Sequence, residues 1–291
     1  MGSNGFLGKE ICKLISAPNL VRHQRRNKDS EEKIYGDNII NFDIEKETFE
    51  RCTSNLKFHD IETIYNCIAL TSIEESQMEP EKAKFLNEIF PKDLANFCFK
   101  NNIKLIHYST DAVFSGKIQM PKESDPPDPI SIYGKTKLDG ENAILSNNKK
   151  ASILRVNFYG NEPARKSIFN YFLEAQENTK IVDGFEDVFF NPIWVRNLAK
   201  ITILVPKSNL CGVLHVSGDT VLSKYEFGNL VSRLTKQVPV NRISIEKTNF
   251  KIARSKNLTL DNSLMKIKGF SVPGIEMELI ELIKELNTSN D

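Results

Sequence analysis

Short apolar runs alternate with longer stretches whose apolar residues recur every three or four positions, and this alternation limits the chain to few folds. The runs fall at residues 39–42, 63–68, 104–108 and 152–156, and the helical stretches at 7–16, 81–100, 135–145 and 165–175. Strands separated by helices pair as parallel neighbours, so the pattern predicts βαβ units: an α/β fold with a doubly wound, mostly parallel sheet covered on both faces. Pro91 interrupts the stretch at 81–100, which predicts a kink or a restart at Lys92.

The rhythm loosens after about residue 157. A strand-like run at 212–217 precedes a helix at 224–235, and an amphipathic helix at 274–286 closes the chain. The expected division is a nucleotide-binding half at 1–160, with a segment at about 181–220 returning to it. A smaller substrate-binding lobe follows from 161–180 and 221–291. At 291 residues and 40% hydrophobic, the chain can bury a core without staples. Its 39 basic and 38 acidic side chains leave a net charge of +1, too little for a global grip on nucleic acid or an anionic membrane surface. No apolar stretch reaches the roughly 20 residues of a membrane span. The five scattered cysteines, with no C-x-x-C pair, read as reduced thiols of a cytoplasmic protein. His23, His59 and His215 have no ligand spacing, so no metal is expected, and His107 reads as a packing residue.

Residues 2–8 read Gly-Ser-Asn-Gly-Phe-Leu-Gly and run straight into the first helical stretch. Gly2 suits a tight turn, Gly5 a close approach of the backbone to a pyrophosphate, and Gly8 close packing of the helix. The helix start adds unpaired N–H groups. Gly2, Asn4, Gly5, Phe6 and Leu7 are therefore candidate cofactor contacts, although a flexible leader with incidental glycines would show the same letters. Such a loop normally follows a strand. Met1 directly precedes Gly2, so the first strand of a Rossmann-type sheet is expected to be missing. Arg25 and Arg26 fall where a second strand should end, with no acidic residue between Glu10 and Asp29. Arginines there suit the 2′-phosphate of NADPH, with NADH left open, and a solvated basic turn is the plain alternative. Asp43 and Ile44, after the third strand, are placed for the adenine end of such a cofactor, or Asp43 for capping a helix.

A strand ending in Ser109-Thr110-Asp111 is followed by Tyr133-Gly134-Lys135-Thr136-Lys137 at the opening of a helix. Tyr133 and Lys137 are four apart and share one helical face. An ammonium beside a phenol lowers its pKa towards the working pH and makes it a general acid or base. The Thr110 hydroxyl, at the C-terminal end of its strand, can bond the same substrate oxygen.

These residues, together with Asn66-Cys67-Ile68-Ala69-Leu70-Thr71, Glu79-Pro80, Asn87, Pro126-Pro127-Asp128-Pro129 and the late run 253–263, resemble the extended short-chain dehydrogenase/reductases. Within that group the chain is similar to the dTDP-4-dehydrorhamnose reductase branch, from Gly2 to about residue 285. The resemblance implies NADP(H)-dependent reduction of a nucleotide-linked 4-keto-6-deoxy sugar, as in dTDP-rhamnose and polysaccharide biosynthesis, by an enzyme able to form a homodimer. It implies that Tyr133 donates a proton, that Lys137 tunes Tyr133 and holds the nicotinamide ribose, and that Thr110 polarises the carbonyl. Ala69, Leu70 and Thr71 would line the cofactor. Asn87, Asp111, Phe158 and Arg254 would serve the substrate side, Asn87 through backbone contacts or water.

The sequence departs from the branch at the sugar end. Asn157-Phe158 stands where Ser-Trp is usual, Ala112 and Leu70 replace common aromatics or histidine, and Ser255 replaces a proline after Arg254. Phe190-Asn191-Pro192-Ile193-Trp194-Val195 is as similar to the wider sugar-epimerase group, so an epimerase is a second reading. Dehydration is disfavoured because Ala112 follows Asp111 where the dehydratases carry a glutamate. A non-catalytic NADP-binding subunit similar to the β subunit of methionine adenosyltransferase is a third.

Overall fold

The structure is a computed structural model, and it describes residues 1–16, 20–24, 39–41, 43–45, 61–162, 167–177, 182–235 and 239–289. Its strands are β1 (Arg22–Gln24), β2 (Ile39–Asn41), β3 (Thr63–Asn66), β4 (Lys104–Thr110), β5 (Ser152–Val156), β6 (Phe158–Tyr159), β7 (Val182–Phe185), β8 (Phe189–Phe190), β9 (Ile193–Trp194), β10 (Gly212–Val216), β11 (Leu222–Ser223), β12 (Val240–Ile243) and β13 (Asn257–Leu258). Its α-helices are α1 (Phe6–Leu14), α2 (Ile73–Met78), α3 (Pro80–Lys84), α4 (Phe90–Lys100), α5 (Ile132–Asn147), α6 (Ile168–Glu177), α7 (Val195–Leu204), α8 (Lys224–Thr235), α9 (Ser263–Ile267) and α10 (Ile275–Ser289).

The chain forms two compact units, each from several segments. Unit 1 comprises Met1–Ser109, Lys135–Leu154 and Ala199–Val213; unit 2 comprises Thr110–Gly134, Arg155–Leu198 and Leu214–Asp291. The chain therefore crosses from one unit to the other just before Thr110, just after Gly134, just before Arg155, just after Leu198 and just before Leu214.

Unit 1 is the α/β layer read from the alternation. β1 and β2 pair in parallel, and β10, β5, β4 and β3 form a four-stranded sheet in that order. β3 and β4 are parallel, with Thr63 opposite Lys104 and Asn66 opposite His107. Residues 1–3 are seated by both groups of strands: Met1 N donates to Tyr65 O, Cys67 N to Met1 O, and Ser3 N to His23 O. Under the sheet, Phe90, Leu94, Ala95 and Cys98 of α4 and Ile144 of α5 pack on Leu105 and Ile153 as one buried cluster. β4 and β5 are buried almost throughout because helices cover them.

The helical run before α4 differs from the expected restart at Lys92. The irregularity lies on the other side of Pro91: Phe85–Ile89 is a π-helical turn, closed by Phe90 N on Phe85 O, and α-geometry resumes at Phe90. Pro91 has no N–H for the carbonyl of Asn87 four residues earlier, so its effect falls on the preceding turn.

Unit 2 is built from small sheets and late helices. β8 lies between antiparallel β11 and parallel β13, β7 pairs with β12, and β6 with β9. Phe227 of α8 is its aromatic centre, with ring centroids 5.2 Å from Tyr159, 5.5 Å from Phe190 and 6.3 Å from Phe172. A buried carboxylate ties in the last helix. Glu278 accepts from Tyr159 Oη, Trp194 N and Asn197 Nδ2 at 2.9, 3.0 and 2.7 Å.

Candidate active site

In unit 1 the glycine loop forms a closed turn that delivers α1. Gly2 has φ +71°, and Gly5 N donates to Gly2 O at 3.0 Å. A Cβ on Gly8 would lie 2.2 Å from that same carbonyl, so the helix can pack on the turn only without a side chain there. No side chain caps the α1 N-terminus, which follows Gly5 directly, so its first N–H groups remain a fit for a dinucleotide's phosphates. Asn4 is exposed and Phe6 half-buried, while Leu7 is buried and packs inward, so its backbone is the part able to reach a ligand. Asp43 is buried and its Oδ1 accepts from Glu45 N at 3.1 Å; Ile44 beside it is half-buried. Arg25 and Arg26 lie outside the described residues.

The segment after β3 is held from behind. Asn87, in the π turn, accepts from Leu70 N and donates to Leu70 O, both at 3.0 Å, and donates to Thr136 Oγ1 at 3.1 Å. Its amide bonds the chain itself and fixes Leu70, the middle residue of Ala69–Leu70–Thr71. Of these three, Leu70 is buried, Ala69 half-buried and Thr71 exposed.

Lys137 lies on α5 and points back to β4. Its Nζ donates to Tyr108 O at 2.5 Å and lies 3.2 Å from His107 Nε2. Burial lowers its pKa to about 8, with Glu141 opposing.

In unit 2 the site is assembled where β4 ends. Thr110 caps the short turn Asp111–Val113, accepting from Ala112 N at 3.1 Å and donating to Asp111 Oδ1 at 2.9 Å. The other carboxylate oxygen accepts from Asn157 Nδ2. Burial raises Asp111 to about 6 against the opposing pull of Thr110, Asn157 and Lys224. Tyr133, in the first turn of α5, is hydrogen-bonded to Thr110. Its phenol is pushed up to about 12 by burial and by the Asp111 charge, a direction opposite to the one its spacing from Lys137 suggested. Desolvation of the phenolate is the larger effect here, so Tyr133 rests as a protonated donor. Gly134 makes this placement fit, since a Cβ there would lie 2.2 Å from Ala112 O.

Arg254 stacks its guanidinium 4.3 Å over Phe250, and its charge together with burial lowers Lys224. Phe158 is half-buried in β6, opposite Ile193 of β9. Asn157 and Lys224 as neighbours of Asp111, and His107 as a neighbour of Lys137, carry no signal in the sequence.

A parallel α/β layer with an uncapped glycine turn, and a Tyr and Lys four apart beside a strand-end threonine, define a Rossmann-type oxidoreductase. The RmlD substrate binding domain family model matches residues 1–288, and the chain belongs to that family. A probable low-salt glycan biosynthesis reductase of Haloferax volcanii is 30% identical over 242 residues, covering 79% of this chain and 77% of that protein. The methionine adenosyltransferase 2 subunit beta of Xenopus tropicalis is 31% identical over 173 residues, 56% of this chain and 51% of that protein. The crystal structure of dTDP-4-dehydrorhamnose reductase from Bacillus anthracis in complex with NADP superposes with a TM-score of 0.78 at 23% identity, covering 98% of this chain and 97% of that one. Among the described residues, no helix is long and apolar enough to cross a membrane.

Proposed function

We propose that this chain uses NADPH to reduce the 4-keto group of a nucleotide-linked 6-deoxy sugar. The observation that carries the reading is the hydrogen-bonded set Tyr133–Thr110–Asp111 at the end of β4, with Lys137 one turn further along the helix of Tyr133. The names of the Haloferax and Bacillus proteins support it. The glycine turn and the uncapped start of α1 would hold the cofactor's phosphates, Ala69–Leu70–Thr71 would run beside it, and Lys137 would bond its ribose. The bound cofactor supplies the hydride for the keto carbon.

The chain's own groups handle the oxygen. With substrate bound, Thr110 turns its one hydroxyl hydrogen from Asp111 to the carbonyl oxygen, and Tyr133 gives that oxygen a proton as negative charge develops there. A phenol that rests protonated suits that direction of transfer. Lys137, charged below about 8, favours the phenolate left behind. Asn157 holds Asp111 towards the sugar hydroxyls, with Lys224 and Arg254 supplying positive charge for the nucleotide's phosphates. Phe158 is the candidate wall for the sugar ring.

The test is direct: add NADPH and a panel of nucleotide-linked 4-keto sugars to the purified chain and follow the loss of reduced-nicotinamide absorbance. Turnover of one member at micromolar to millimolar KM is expected. Tight NADPH binding without turnover of any sugar would replace this reading with the regulatory one suggested by the methionine adenosyltransferase subunit.

A further inference from the structure

β4 carries His107 three residues before Thr110, with its side chain fully buried. An imidazole used only for packing would leave two nitrogens to be satisfied away from water, where an apolar side chain would leave none. Here both nitrogens face buried polar side chains. Nε2 lies 3.2 Å from Lys137 Nζ, which can only donate, so Nε2 accepts and the proton of the neutral ring is on Nδ1, beside the Asn66 side-chain amide directly across the β3–β4 ladder. Asn66 and Lys137 are 1% and 2% exposed, so no part of this chain of contacts is left to solvent. Burial and the Lys137 charge hold the ring well below its usual pKa, so it faces the ammonium uncharged.

The arithmetic of donors shows what the ring does for Lys137. An ammonium has three N–H groups on a flexible four-carbon stem. Tyr108 O takes one and His107 Nε2 a second, both from β4, which fixes the direction of the third. We propose that His107, anchored by Asn66, is a positioning residue that aims the remaining Lys137 donor at the bound ligand. This rests on the reductase reading for the step that Lys137 serves. Without His107 the nitrogen keeps one tether and can swing about it.

The test is a double-mutant cycle with two readouts, NADPH affinity by fluorescence titration and turnover of the keto sugar. His107→Asn keeps a group near Nδ1 and removes the one facing Lys137, whereas His107→Gln extends an amide to the Nε2 position. His107→Asn is expected to weaken NADPH binding and lower kcat by about tenfold each, and His107→Gln to stay within about threefold of the unsubstituted chain. In a Lys137→Met background, His107→Asn should cost less than about twofold further, because its effect runs through the missing amine. Equal losses in both backgrounds, or a Gln variant as poor as the Asn variant, would overturn the proposal. Circular dichroism melts confirm that each variant compared is folded. If the unsubstituted chain turns over no sugar, the reductase reading fails, yet the NADPH titrations still decide the role of His107. A chain that binds no NADPH overturns both.

Discussion

Unit 1 buries a base, Lys137, surrounded by a backbone carbonyl and a neutral ring; unit 2 buries an acid, Asp111, held by a hydroxyl and an amide. Burial lowers the first to about 8 and raises the second to about 6. One physical cause acts with opposite sign on the two because a low-dielectric setting favours whichever form is neutral. Both shifts converge on neutrality from either side, while Tyr133 moves away from it, up to about 12. The difference separates roles. Lys137 and Asp111 can change charge within the working range, and Tyr133 changes only when chemistry forces a proton from it.

The largest expected effect tests that separation on the acid side. Tyr133→Phe should lower kcat by about 10²–10⁴-fold while leaving NADPH affinity within about twofold, because the phenol acts on the oxygen and contributes little to holding the cofactor. Steady-state rates and a fluorescence titration check this, and an active variant removes Tyr133 as proton donor. Gly8→Ala strikes the other region. Its Cβ would lie 2.2 Å from Gly2 O, so the turn must open. NADPH affinity should fall by about tenfold or more as the first N–H groups of α1 shift, with kcat at saturating cofactor less affected.

A pH profile sharpens the contrast between the two charges. Rate should be flat between about 6 and about 8, fall above that window as Lys137 loses its proton, and fall below it as Asp111 gains one. Asp111→Asn should erase the acid limb and leave the basic limb in place; a profile unchanged by the substitution would detach Asp111 from the reaction. Facing Asp111 are Thr110, the amide of Asn157, the Ala112 N–H and the Lys224 ammonium, and none of the first three titrates in this range. The smallest effect is on stability. The folded carboxyl sits above its ordinary 3.8, so the fold gains stability as pH falls from about 6 towards 3.8 and carries the full penalty, at most about 3 kcal/mol, above that window. Asp111→Asn should therefore raise the melting temperature more at pH 8 than at pH 4.5.

What the sequence showed, it showed where the physics is local. The helix at 224–235 matches α8 residue for residue, and the runs at 63–68, 104–108 and 152–156 each contain or lie within a strand, because periodicity needs only near neighbours. The glycine turn and the four-residue spacing of Tyr133 and Lys137 are local as well. His107 and Lys137 are 30 residues apart, and Asp111 and Asn157 are 46 apart. Nothing in either residue's surroundings in the chain announces such partners. The phenol's pKa escaped for a related reason. Spacing reveals which charge shares a helical face, but the burial that outweighs it comes from the rest of the fold. For Pro91 the sequence located the break and missed its side, since the lost hydrogen bond belongs to the carbonyl four residues back.

That proline also bears on how this protein could be engineered. Pro91→Ala is the kind of change chosen to strengthen a helix, because it restores an N–H and a good helix former. Here the restored donor would invite the π turn at Phe85–Ile89 to tighten into regular α-helix, shedding one residue of winding. Each residue of α-helix advances about 100° around the axis, so Asn87 would turn away from Leu70 and Thr136. A substitution that makes the helix more regular would thus release the loop that the asparagine holds, and local regularity would be gained at the expense of the geometry beside the cofactor.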